Sequence, residues 1–178
     1  HGRVIGKLSG RDWREYKETG SINGRWLPKG MKDADKLANP MLLIKPAGEL
    51  NIPDNEDMIK GAQRMYGPQK FKTIEDICLS VFGVARNYAA ARGIIIAASS
   101  FEFALVEGNP YFTGQILSPE TTAYWDLDGF APGGGQPDYE KEPLYDWLAA
   151  EGWTEGNALP SLPKSVIDDI MRRERQIY

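Results

Sequence analysis

One cysteine and one histidine are all that the 178 residues contain. Cys78 alone excludes an intrachain disulfide and a cysteine metal cluster. His1 is the first residue, so the body of the chain offers no imidazole for Ser-His or Cys-His catalysis or for a histidine zinc site. No apolar run approaches the about 18 residues of a membrane span, and no signal-peptide pattern is present. An excess of positive charge is also missing. Lys and Arg number 21 against 25 Asp and Glu, a net charge of −4, which argues against nucleic acid and anionic membranes as partners. The one basic run, Arg172-Arg173-Glu174-Arg175, reads as a solvated helix face. By default these absences point to the cytoplasm.

What is present reads as one α+β domain over residues 1–178. Hydrophobic residues make up 42% and charged residues 26%, ordinary values for a chain with a core. Residues 3–8 form a short strand pattern, followed by a turn-rich stretch that suits one short helix and a hairpin. Met41-Leu42-Leu43-Ile44 is a second short apolar run. Asp54 and Asn55 are cap candidates for a helix that ends at Gly67-Pro68. Thr73 with Asp76 resembles a capping box, and Ile74, Ile77, Val81, Val84, Ala85 and Tyr88 recur at helical spacing up to a stop at Gly93. Cys78 falls on the apolar side of that pattern, so packing is its expected role. Ile94–Ala98 then looks like a buried strand, with further strands expected at Phe101–Val106 and Tyr111–Leu117. Helices are expected around Glu142–Ala150 and from Pro163 to about Tyr178. The triple glycine at 133–135 lacks the Lys-Ser/Thr of a phosphate loop and reads as a plain loop.

Several segments, in order, carry a resemblance. "GRDWREYKETGSINGRWLPKGMKDADKLANP" is similar to a stretch in which W-K-E-Y, T-G, L-P-x-G-L and A-D-K-L-P-x-P follow one another. "ARGIIIAASSFEFA" resembles A-R-G-I-I-L-A-D-T-K-F-E-F-G, and "QILSPETTAYWD" resembles E-V-L-T-P-D-S-S-R-F-W. "GGQPDYEKEPLYDWLAAEGW" and the closing "ALPSLPKSVIDDIMRRERQIY" continue the likeness. These are motifs of the SAICAR (phosphoribosylaminoimidazole-succinocarboxamide) synthetase family. The resemblance implies that family's C-terminal domain: a mostly antiparallel sheet packed against helices, in a homo-oligomer. It also implies that an N-terminal lobe holding ATP precedes this region in full members.

The family joins a carboxylate on an aminoimidazole ribonucleotide to aspartate through an acyl phosphate made from ATP. Carried over residue by residue, its signature charges are thinned. Its Asp, Lys and Glu fall on Ala98, Ser100 and Glu102, and its Asp-Glu pair on Gly114-Gln115. Its Asp, two Ser and Arg fall on Glu120, Thr121, Thr122 and Ala123. An arginine falls on Ile5, a serine on Arg11, an Asp-Lys pair on Glu140-Lys141 and a further arginine on Tyr145. Phosphoryl transfer relies on positioned charge, so this thinning leads to the expectation of no metal site, no cofactor and no ATP-dependent ligation.

The resemblance still implies a pocket for a nucleotide-like small molecule. Glu102 and Glu120 are its candidate acid–base groups, and Lys7, Arg11, Ser100, Gln115, Thr121, Thr122 and Lys141 its candidate substrate contacts. Arg14 and the aromatic pair Tyr124 and Trp125 are further candidates. Glu102 alternates with Phe101 and Phe103, so a structural salt bridge suits it as well as catalysis. The function this points to is an ATP-independent enzyme acting on purine-type nucleotides by elimination, addition or ring closure; the alternatives are a part of an authentic SAICAR synthetase and a non-catalytic nucleotide-binding protein.

Overall fold

Strand β1, Gly2–Lys7, is the short apolar run at the start of the chain, and it occupies an interior position in a four-stranded sheet. In the computed structural model, which describes residues 1–44, 56–134, 136, 141–154 and 156–177, β4 (Lys36–Ile44) flanks it on one side. On the other side lies β5 (Ile94–Phe101), and β8 (Thr122–Asp126) pairs beyond it. The order is β4-β1-β5-β8 and every pairing is antiparallel. Helix α1 (Gly10–Thr19) follows β1 and ends where Gly20, at φ 77, donates its N–H to the Tyr16 carbonyl at 2.7 Å.

Two hairpins stand apart from the main sheet. β2 (Ser21–Ile22) and β3 (Arg25–Trp26) are joined through Asn23-Gly24, both at positive φ, as a tight two-residue turn demands. β6 (Phe103–Val106) and β7 (Asn109–Phe112) turn in the same way through Glu107-Gly108. Helix α2 (Glu56–Tyr66) leads into the long α3 (Pro68–Ala90), while α4 (Lys141–Ala150) and α5 (Lys164–Ile177) pack on each other. The cap candidates Asp54 and Asn55 and the terminal Tyr178 lie outside the described residues. No helix among the described residues is long and apolar enough to cross a membrane.

The α+β class and the antiparallel sheet agree with the sequence reading, and the details depart from it at four points. Helix α3 begins at Pro68, so Thr73 is not a cap; its hydroxyl donates to the Gln69 carbonyl one turn back. The buried stripe of α3 is Phe71, Ile74, Cys78, Phe82 and Ala89, whereas Val84 and Tyr88 are 70% and 63% exposed. Residues 113–117 are not a strand: β7 stops at Phe112, and Leu117 takes a positive φ of 58°. The strand missed altogether is β8, whose partner β5 lies more than twenty residues back.

The sheet is covered on both faces. Helix α3 buries Phe71, Ile74, Cys78 and Phe82 against Val4, Leu42, Ile96, Phe101 and Tyr124. The opposite face packs Ile5, Leu43 and Ala98 against Leu8, Tyr16 and Ile22, with Tyr16 further tied by its hydroxyl to the Pro28 carbonyl at 2.6 Å.

Cys78, in the first of these layers, is an inert thiol. Burial pushes it up to about 11 from an ordinary 9.0, with a smaller opposing pull from the N-terminal ammonium. Because the folded value lies above the unfolded one, the contribution to stability is complete below pH 9.0 and is lost as pH rises through about 11. Urea midpoints measured across that window should fall more steeply for the wild type than for Cys78→Ala. Equal slopes would show that the thiol is not held neutral by the fold.

Candidate functional site

Register across the sheet decides what faces α1. Ile5 pairs with Met41 on β4 and with Ala98 on β5, and Ala98 pairs with Ala123 on β8. Three positions at which the sequence resemblance leads one to expect charge, 5, 98 and 123, therefore form one apolar row across three adjacent strands. Ile5 and Ala98 are buried in the α1 layer, and Ala123 packs at the edge of a cluster with Trp125 and Phe130. A lone charge at Ile5 or Ala98 would be buried in this layer without a partner.

The next row on the same face is polar. Residues two apart on a strand share a face, so Arg3 lies beside Ile5 and opposite Ser100. Arg3 Nη1 donates to Asp12 Oδ2 at 2.7 Å from β1 to α1. Asp12 is only 1% exposed, while the Arg3 side chain keeps 38% of its surface. The other carboxylate oxygen, Asp12 Oδ1, has no hydrogen-bond partner. Sequence reasoning passed over both residues. The signal available was the two-residue period that sets Arg3 on the face of Ile5; nothing local pairs it with Asp12.

Of the expected site residues, Ser100 and Thr121 come together: the Ser100 N–H donates to the Thr121 carbonyl at 2.7 Å. Thr121 closes a turn in which its own N–H reaches the Ser118 carbonyl and its hydroxyl receives the Ser118 N–H at 3.2 Å. Glu120 is exposed in that turn. Thr122 departs from the expectation: it is fully buried on the α3 face, and its hydroxyl lies 2.7 Å from Ser99 Oγ, so both hydroxyls are satisfied inside the core.

Glu102 sits between β5 and β6, about half exposed, with Oε1 3.3 Å from His1 Nδ1. Its carboxylate lies over Gly114, where a Cβ would come within 2.7 Å of Oε2. Gly114 thus leaves room for the Glu102 carboxylate. Gln115, the next residue, is exposed beside it.

Lys7 and Arg11 bracket the start of α1. The Lys7 ammonium lies 3.6 Å from the Phe130 ring centroid, and burial, aided by the charge of its cross-strand neighbour Lys36 and opposed by Asp35, holds it below its ordinary range. Arg11 and Arg14 are on α1, Arg11 exposed. Lys141 opens α4, and its side chain lies outside the described residues, as does all of Glu140. The aromatic pair is already engaged: Tyr124 donates its hydroxyl to the Leu117 carbonyl, and Trp125 stacks on Phe130 with centroids 6.3 Å apart. Both are buried.

Among the described residues no group of three or more His, Cys, Asp or Glu side chains could hold a metal ion. A cavity of about 580 Å³ opens on the other side of the sheet, between α3 and the β5–β8 edge, lined by Val81, Val84, Tyr88, Ile96, Leu117 and Tyr124. Of the expected site residues, Tyr124 lines it, and none of the candidate acid–base groups or polar contacts does.

Comparison with known proteins gives a consistent picture. A family profile described as SAICAR synthetase matches residues 13–160. Phosphoribosylaminoimidazole-succinocarboxamide synthase of Chromobacterium violaceum is 34% identical over 176 residues, covering 97% of this chain and 61% of that protein. The protein of the same name from Maridesulfovibrio salexigens is 30% identical over 163 residues, covering 92% of this chain and 54% of the relative. The chain therefore spans somewhat over half the length of these relatives. In three dimensions it superposes on SAICAR-synthase from Saccharomyces cerevisiae complexed with SAICAR, with a TM-score of 0.86 at 22% identity, over 99% of this chain and 58% of that one.

Proposed function

Since the chain belongs to the SAICAR synthetase family, we propose that it serves purine biosynthesis as the substrate-binding part of an ATP-dependent SAICAR synthetase, joining aspartate to a carboxyaminoimidazole ribonucleotide. The observation that carries this reading is the extent of the likeness: it runs over 97% of the chain at 34% identity. In this reading residues 1–178 are one domain. Lys7, Arg11, Ser100, Gln115, Thr121 and Lys141 contact the nucleotide, and Glu102 and Glu120 are the groups available for proton transfer. A cytoplasmic setting and self-association follow from the same family reading.

The described residues do not fit magnesium and a triphosphate. Magnesium calls for carboxylates beside substrate phosphate, and no acidic cluster is present among them. The row at 5, 98 and 123 is aliphatic. We therefore assign the phosphate donor to a part of the enzyme other than these residues. That same row favours a second reading, in which the family pocket performs ATP-independent acid–base chemistry on a purine-type nucleotide.

One experiment separates the two. The chain is mixed with the N-terminal lobe of the Chromobacterium violaceum relative, and ADP release is followed with Mg-ATP, aspartate and the carboxylated nucleotide. Release that requires both aspartate and nucleotide supports the ligase. No release, with clear thermal stabilisation of the chain by the nucleotide alone, favours the second reading. Absence of both would remove the pair of them.

A further inference from the structure

The strongest unassigned feature is the ion pair between Arg3 and Asp12. Arginine–carboxylate pairs are frequently bidentate, with two parallel N–H···O bonds. Here the contact is single: Nη1 meets Oδ2, and Oδ1 has no partner. Arginine carries five N–H donors, and among the described residues Asp12 is the only hydrogen-bond and ion-pair partner of this one. The carboxylate is buried and the cation is not, so the pair is anchored at its Asp12 end and open at its Arg3 end.

Its position adds a second argument. Arg3 shares a face with Ile5 and stands opposite Ser100, the positions at which the family resemblance leads one to expect an arginine and a lysine. The strand period carries a residue two places along to the same face. A guanidinium at 3 thus restores positive charge to the face from which it is missing at 5 and 100.

We propose that Arg3, held by the buried Asp12 carboxylate, is the oxyanion-binding group of this face and takes a carboxylate or phosphate of the ligand. In the strand register Arg3 stands opposite Ser100, and the planar fork of its guanidinium suits a two-oxygen contact. The inference rests on the family reading for its second argument and for one of its probes.

The test uses the full chain and three probes: inorganic phosphate, succinate and SAICAR. Binding is read by NMR titration, including the Arg3 side-chain Nε–H resonance, a signal that a purely structural pair would leave unmoved. Arg3→Lys keeps the charge and a partner for Asp12 but loses the fork, and should weaken phosphate and succinate by about tenfold. Arg3→Gln with Asp12→Asn removes the pair together, so no charge is stranded, and should abolish binding of both small anions. If the wild type binds neither phosphate nor succinate, or the double variant binds them as the wild type does, the proposal is overturned. SAICAR binding that survives in the double variant also overturns it, while leaving the family reading in place. Phosphate and succinate binding that is lost in the double variant, with no SAICAR binding by the wild type, supports the Arg3 assignment and removes the proposed function.

Discussion

Replacing Phe82 with alanine is expected to lower unfolding stability by about 4 kcal/mol, within the range measured for buried aromatic truncations. The ring is completely buried at the centre of the α3 layer and lies against the backbone of β1 at Gly6. A Cβ at position 6 would fall 2.9 Å from its Cζ, so ring and glycine fill one space between them. Deleting the ring leaves a cavity with β1 as one wall. That strand is hydrogen-bonded to β4 and β5 on its two sides and cannot move in to fill the space. Urea unfolding of wild type and Phe82→Ala, with unchanged slopes, gives the number directly. A loss under about 1 kcal/mol would mean that α3 does not pack on the sheet through this ring.

Phe82 also illustrates what the sequence tells and withholds. Helical periodicity identifies α3, yet it admits two stripes one position apart, since Ile77, Val81, Val84 and Tyr88 recur as regularly as Phe71, Ile74, Cys78 and Phe82. Only the sheet decides between them, because the stripe facing Gly6 and Val4 is the one that can be buried. Signals settled by two or three adjacent residues are legible. Asn23-Gly24 and Glu107-Gly108 mark their hairpins, and Gly93, at φ 76, marks the break between α3 and β5. Signals that depend on distant pairing are not. Strand β8 is five residues long, and among the described residues its only strand partner is β5, so nothing within Thr122–Asp126 announces it. Thr122 looks like a groove residue in the sequence for the same reason: its place opposite Ser99 is a matter of register. The candidate site divides along this line. Glu102, Ser100 and Thr121 can be found from motifs, whereas Arg3–Asp12 arises from the crossing of a strand and a helix.

That crossing supports the second large effect. Replacing Arg3 alone with glutamine should cost about 3 kcal/mol, the low end for breaking a buried ion pair, since Arg3 itself keeps more than a third of its side-chain surface in solvent. The loss comes mainly from Asp12, whose carboxylate is left buried with no cation, and little from the attraction itself. Adding Asp12→Asn should therefore recover most of the stability, because a neutral amide tolerates the same site without a counter-charge. The two single variants and the double form a cycle whose coupling measures the pair. A double variant no more stable than Arg3→Gln would mean that Asp12 is not the stranded charge, and that its burial against β1 is relieved by solvent. Recovery of stability without recovery of oxyanion binding would separate the two roles of this contact: Asp12 needs Arg3 in order to fold, and the ligand needs Arg3 in order to bind.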